Sequence, residues 1–275
     1  FSDPSLGSWQ AAQGRRVASA RQQRFIARAQ RRQQRVLDAI RAAGVEFEVR
    51  HTYLRVFNGV SIIVHGDSAE LIAQTKGVAS VSPVRAVYPA ATRRSAISFA
   101  DRASVRGLSG SSRQTTTVAV LDTGIDFNHS ALAGAQAGPG YDVLGNHVGI
   151  DPSAHDQHGT EVASLVRVAS HGSAAIEGYR VLAARPVIGG FEAVVGTSDD
   201  LLAGMERATD PNGDGATTDA AGVMVLALSE PFAGFEGTPE DRAVAAIEGL
   251  GVVVVAAAGN DGASGDEAGT VGAPG

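Results

Sequence analysis

Polar and apolar positions divide this chain into two stretches with different rhythms. Between residues 15 and 43 arginine and glutamine dominate, while Phe25, Ile26, Ala29, Val36, Leu37 and Ile40 recur at three- and four-residue spacing as far as Gly44. That spacing gathers the apolar residues on one stripe of a long helix and leaves the arginines as its solvated face. Val45–Leu54 and Val56–Val64 then read as strands, with Asn58-Gly59 near the start of the second. Ser68–Gln74 reads as a short helix closed by Gly77, and Val78–Val87 as a last strand. With Phe1 as the end of an earlier strand, the order is β-α-β-β-α-β, a small ferredoxin-like α+β sandwich.

The rhythm lapses over 91–115, where Ala, Ser, Thr and Arg prevail, and this segment reads as an exposed linker of the kind that is readily nicked. Beyond it, unalternated apolar runs take turns with amphipathic stretches. Strands are expected at Val118–Leu121, Tyr179–Ala184, Gly222–Leu228 and Gly251–Ala257. Helices are expected at His158–Val168, at Asp199–Ala208 with Ser198 as cap, and from Pro239 to about Glu248 with Thr238 as cap. Such alternation implies an α/β fold, a parallel sheet covered by helices on both faces. The organisation is therefore a small domain over 1–90, a linker over 91–115, and an α/β domain over 116–275.

Charge sharpens this division. The net charge of -6 averages residues 1–100, with 15 Lys and Arg against 6 Asp and Glu, and residues 101–275, with 8 against 23. An arginine helix suggests nucleic acid in some proteins, but a basic segment beside an acidic one in the same chain points to docking between them, so no nucleic acid is expected. No apolar run reaches the ~20 residues of a bilayer span, so no membrane is expected either. The chain begins with Phe, which leaves room for a signal peptide ahead of it. Without cysteine, the chain forms no disulfide and has no thiol nucleophile.

Candidate chemistry lies at the edges of the α/β elements. The apolar run Val118-Ala119-Val120-Leu121 delivers Asp122 to the carboxyl end of a strand, just before Gly124. Asp156-Gln157-His158-Gly159-Thr160 opens a helix, and Ala258-Gly259-Asn260-Asp261-Gly262 closes a strand. An acid to orient an imidazole, an imidazole to act as base and an amide to steady an oxyanion are the parts of nucleophilic acyl transfer. Asp122-Thr123-Gly124 is also an aspartic-protease signature, but that chemistry needs a second such turn and the chain has none.

In this order, Val118-Ala-Val-Leu-Asp-Thr-Gly-Ile-Asp126, Asp156-Gln-His-Gly-Thr160 and Val253-Val-Val-Ala-Ala-Ala-Gly-Asn260 resemble the subtilisin-like serine proteases over residues 113–275. The resemblance implies a subtilisin-like fold that hydrolyses peptide bonds in peptide or protein substrates, with Asp122 as triad acid, His158 as base and Asn260 as oxyanion donor. It also implies that residues 1–90 are an inhibitor-type propeptide, with Asn58-Gly59-Val60-Ser61 and Gly77-Val-Ala-Ser-Val-Ser-Pro83 at that domain's usual motifs. Such a domain acts as an intramolecular inhibitor of a secreted zymogen, with its tail in the active-site cleft. On this reading Asp122 should lie within hydrogen-bond reach of His158 Nδ1.

The family's serine sits in a Gly-Thr-Ser-Met-Ala-like turn after the oxyanion Asn, and no such turn follows Asn260 here. Gly196-Thr197-Ser198 precedes Asn260, so Ser198 is taken as a helix cap. The expectation is that the nucleophile lies beyond Gly275, and that the 275 residues alone are inactive. Glu161 stands where a second His is usual, and Leu226-Ala-Leu-Ser-Glu230 replaces a Ser-Leu-Gly edge, which keeps a non-catalytic, peptide-binding relative as the alternative. Finally, Asp210, Asn212 and Asp214 follow the opening of a calcium loop, with Asp219 as a further ligand.

Overall fold

The computed structural model describes residues 1–14, 16–90, 115–150, 157–187, 190–231, 237–260 and 271–274. The linker expected over 91–115 lies, except for its last residue, outside the described residues. The chain forms two compact units. One comprises Phe1–Ala86, Thr197–Ala220 and Phe235–Val254; the other comprises Val87–Gly196, Ala221–Gly234 and Val255–Gly275.

In the first unit, α1 (Leu6–Ala12) precedes α2 (Ser19–Ala42), then β1 (Phe47–Tyr53), β2 (Gly59–Val64) and α3 (Ala69–Gln74). The arginine-rich helix is present as expected, and its buried positions Ile26, Ala29, Leu37 and Ile40 belong to the predicted stripe. Gln22 and Gln33 are buried on the same helix because each is bonded. Gln33 Nε2 donates to Tyr53 O and to Asn58 Oδ1, both at 2.8 Å, which ties α2 to the turn between the strands. β1 and β2 pair antiparallel, with a register irregularity between Val49 and His51. Helix α1 has no sequence periodicity to announce it over seven residues, yet Ser5 caps it. It packs through Leu6 into a core with Ile26, Ala29, Leu54 and Leu250, while Trp9 stacks on Phe25 at 4.8 Å.

Three expectations need correcting here. Phe1 does not end a strand; its ammonium donates to Asn58 O at 2.7 Å, and among the described residues β1 and β2 alone make this unit's sheet, so the order β-α-β-β-α-β is not found. Val78–Val87 was expected to be one strand, but residues 78–85 are irregular and the strand β3 runs Ala86–Pro89. Ser198 was expected to cap a helix, but α5 runs Ser198–Ala208 with Thr197 at the cap position. The Ser198 hydroxyl instead accepts from Arg85 N at 3.2 Å while Ser198 N donates to Arg85 O at 2.8 Å. Helix α6 (Pro239–Gly249) begins as foreseen, with Thr238 and Asp241 forming a capping box behind a first-turn proline.

The second unit is built on β4 (Thr117–Asp122), whose last five residues are all buried. Further elements are β5 (Tyr141–Asp142), β6 (His147–Val148), α4 (His158–Ala169), β7 (Ala175–Arg180), β8 (Leu182–Val187), β9 (Phe191–Thr197), β10 (Val223–Leu226), β11 (Leu228–Ser229) and β12 (Val253–Ala256). They make a six-stranded sheet in the order β12-β10-β4-β7-β5-β6, in which β10, β4, β7 and β5 run parallel and β6 antiparallel. The expected strand Tyr179–Ala184 is thus two strands split at Val181, since β7 stays in the parallel sheet and β8 turns away to pair with β9. Helix α4 brings Val162 and Ala163 onto a core of Val118, Val120, Ile125, Leu132 and Ile176. A second sheet has the order β11-β3-β9-β8, so that β3 lies as a strand between β11 and β9.

Candidate active site

Strand β4 ends on Asp122, fully buried. A buried carboxylate is costly unless bonded, and the local sequence supplies the bonds. Thr123 N donates to Asp122 Oδ1 at 2.7 Å, and Gly124, at φ 104°, turns the chain away. Thr123 Oγ1 accepts from Gly159 N at 3.0 Å, pinning the start of α4 beside the end of β4. That approach needs glycine at 159, because a Cβ there would stand 2.2 Å from Gly124 O and 3.2 Å from Asp122 Oδ1.

His158 opens α4 and is thereby held against Asp122, with Nδ1 at 2.8 Å from Oδ1 and 2.9 Å from Oδ2. A carboxylate only accepts, so Nδ1 carries the proton and Nε2 is the nitrogen with a lone pair. This is the geometry expected from the sequence.

Asn260 follows β12, and its Nδ2 donates to Pro89 O at 3.1 Å. Pro89 ends β3, which pairs antiparallel with β11 through Pro89 opposite Leu228 and Tyr88 opposite Ser229. Ala90 N continues the ladder to Ala227 O at 2.8 Å. An extended peptide drawn from the chain itself is therefore bonded along β11 and presents a backbone carbonyl to the Asn260 amide.

The first unit holds a charged cluster that sequence reasoning did not single out. Asp199, Asp200 and Glu206, all buried on α5, face residues of β1 and its turn. Arg50 donates Nη1 to Asp199 Oδ2 at 2.7 Å and Nη2 to Asp200 Oδ1 at 3.1 Å, and His51 Nε2 lies 2.8 Å from Asp200 Oδ1. Ser61 and Thr197 hydroxyls donate to Asp199 Oδ2 and Asp200 Oδ2, each at 2.6 Å. Glu206 accepts from the backbone N–H groups of Leu54, Arg55 and Val56 at 2.8–3.0 Å, and from Arg55 Nη1 at 3.0 Å. The signal available in sequence was the basic and acidic division of the chain together with the adjacent acids Asp199-Asp200.

Burial alone would raise the Asp200 carboxyl, but the bonds from His51 and Thr197 and the nearby Arg50 hold it below the usual carboxylate range. Burial, with Asp199 and Asp200 adding to it, pushes the Tyr53 phenol far up, so Tyr53 stays a donor to Asp199 O at 2.9 Å. A depressed carboxyl contributes stability that is complete above its unfolded value of ~3.9 and is lost as pH falls through the lower folded value. Urea midpoints of the wild type and Asp200→Asn are accordingly expected to differ at pH 7 and to draw together as the pH falls through the lowered value of Asp200.

The ligand atoms of His51, Asp199 and Asp200 lie within 4.8 Å of one another, yet Arg50 already supplies the cation. The expected calcium residues fit an ion poorly as they stand. Asp210 pairs with Arg55 and accepts Asp214 N and Gly215 N, Asp214 accepts Ala216 N, and Asp219 accepts Asn212 N. At least one oxygen of each of these three carboxylates is thus taken by the loop's own backbone, while Asp219 Oδ1 is buried without a hydrogen-bond partner among the described residues.

With the geometry in view, comparison with known proteins gives a consistent answer. Residues 113–275 match the Peptidase_S8 domain of the subtilase family, and the chain belongs to that family. It is 32% identical over 167 residues to the thermophilic serine proteinase of Bacillus sp. (strain AK1), across 56% of this chain and 35% of that protein. The chain thus spans about a third of that relative's length. Its fold is similar to fervidolysin from Fervidobacterium pennivorans, a keratinolytic enzyme related to subtilisin, with a TM-score of 0.55 at 22% identity over 84% of this chain and 39% of that one.

Proposed function

We propose that the chain carries the acid, the base and the oxyanion donor of a secreted serine endopeptidase, with the nucleophilic serine C-terminal to Gly275. The observation that carries this reading is the double contact of His158 Nδ1 with buried Asp122 at 2.8 and 2.9 Å. Asp122 holds the imidazole in the tautomer that leaves Nε2 basic; His158 takes the serine proton as the oxygen attacks a peptide carbonyl, then returns it to the leaving amine. Asn260 Nδ2 donates to the oxyanion that forms.

Residues 1–90 serve as propeptide in this reading. Its support is that β3 lies as a strand between β11 and β9, and that Arg50, His51 and Arg55 meet the acids of α5 within the first unit. Maturation cleavage follows close after Pro89, whose carbonyl the Asn260 amide meets. Among the described residues no helix is long and apolar enough to cross a membrane.

The test uses the protein extended past Gly275 in its own reading frame. A fluorophosphonate probe labels it once residues 1–90 have left, and His158→Ala abolishes the labelling. The 275 residues alone give no hydrolysis that depends on His158. Absence of labelling after the propeptide has gone favours a non-catalytic peptide-binding relative, the reading that Glu161 and the Leu226–Glu230 edge support.

Calcium at Asp210, Asn212, Asp214 and Asp219 is proposed only for a state in which Arg55 has left Asp210. Millimolar calcium is then expected to leave the melting temperature of the wild-type chain unchanged and to raise that of Arg55→Ala. Equal responses of the two proteins would dispose of the idea.

A further inference from the structure

Three charged side chains stand in a row across the ends of three parallel strands. Asp122 on β4 and Asp142 on β5 are both in register with Arg180 on β7. Registered residues of neighbouring strands lie ~4.8 Å apart and project to the same face. Arg180 therefore stands between two carboxylates whose exposure is 0% and 2%. It donates Nη1 to Asp142 Oδ2 at 2.9 Å, while its buried Nε has no acceptor among the described residues. Asp142 also accepts from Gly145 N at 2.9 Å, and His147 Nε2 lies 3.8 Å from its Oδ2. Asp122 is engaged on its other side by His158.

A guanidinium with a spare donor seeks a second carboxylate oxygen, and the carboxylate on the neighbouring strand is the one that orients the imidazole. We propose that Asp142 and Arg180 are positioning residues for the Asp122 and His158 pair: Asp142 neutralises Arg180 and keeps its guanidinium off Asp122, so that His158 retains both Asp122 oxygens. The proposal rests on the reading of that pair as catalytic. Its electrostatic part is simple. An uncompensated Arg180 opposes the imidazolium that forms when His158 takes a proton, and an uncompensated Asp142 favours it. Glu161 on α4 and Asp126 after β4 are the same in every variant below and cancel in the differences, whereas His147 on β6 stands 3.8 Å from Asp142, so its signal is followed alongside that of His158.

The measurement is an NMR titration of the 275-residue chain with labelled histidine, in which His158 is assigned among seven histidines by its loss in His158→Gln. Asp142→Asn is expected to lower the His158 midpoint by ~0.5 pH unit, and Arg180→Gln to raise it by ~0.5. The double variant returns within ~0.2 of the wild type, and Arg180→Lys, which keeps the charge, stays there too. A residue that only props up the fold has no reason to give opposite signs that cancel. Shifts of one sign in both single variants, or none in either, overturn the proposal. If Asp142→Asn fails to fold by circular dichroism, the comparison of Arg180→Gln with Arg180→Lys decides alone. Asp122→Asn separates the two levels of inference. If it leaves the His158 midpoint unmoved, the catalytic pairing itself fails. If it lowers the midpoint while the Asp142 and Arg180 variants do nothing, only the present proposal fails.

Discussion

His158→Ala, in the protein extended through its nucleophile, is expected to lower kcat by about 10⁴–10⁶-fold with KM little changed, the scale on which triad enzymes respond to losing their base. The geometry gives the reason. Nδ1 is fixed by two carboxylate contacts at 2.8 and 2.9 Å, which leaves Nε2 to move a proton only in the transition state, so its removal costs turnover and not substrate binding. Asp122→Asn should fall by ~10⁴, because an amide in place of the buried carboxylate can present its N–H and turn the imidazole into the wrong tautomer. A progress curve with catalysed turnover in His158→Ala within tenfold of wild type would exclude His158 as the base.

Glu206→Ala is expected to produce the largest loss of stability, about 3–5 kcal/mol in the first unit. One buried carboxylate caps three consecutive backbone N–H groups, at Leu54, Arg55 and Val56, and also receives the Arg55 guanidinium. Alanine strands all of these donors away from water, and each buried unsatisfied donor costs ~1–3 kcal/mol. Glu206→Gln keeps one accepting oxygen and should lose roughly half as much. Urea denaturation measures the total, and amide exchange at residues 54–56 locates it. If the three amides stay as protected in Glu206→Ala as in the wild type, Glu206 is not what secures this turn.

The parts of the fold that the sequence displayed are those whose pattern is long or whose ends carry caps. Helix α2, which carries the stripe, spans 24 residues, and the Thr238 box with Pro239 marks the start of α6 to the residue. Helix α1 was hidden because seven residues give too few turns for a period, and what secures it is packing of Leu6 and Trp9 against distant residues. The break at Val181 was hidden because β7 and β8 are separated by a single residue, and only their different partners tell them apart. The candidate site was legible for a related reason. Asp122 is the last residue of an element, His158 the first of one, and Asn260 follows the end of β12, positions that glycines mark in the sequence. The Arg50, His51 and Arg55 contacts with α5 join residues some 150 positions apart, and no local pattern encodes such a pairing.

Strand β3 has one more consequence, which concerns concentration. It is joined covalently to β4 through residues 90–116, so the peptide bonded along β11 does not dilute with the protein. A tether of this length holds its end at an effective concentration on the order of millimolar. While the backbone is intact, a peptide added from outside has to exceed that level to gain the same ladder, and occupancy is independent of how much protein is present. A single cut in the tether changes the order of the reaction. Occupancy then depends on the concentration of the released segment, and dilution alone empties the strand position.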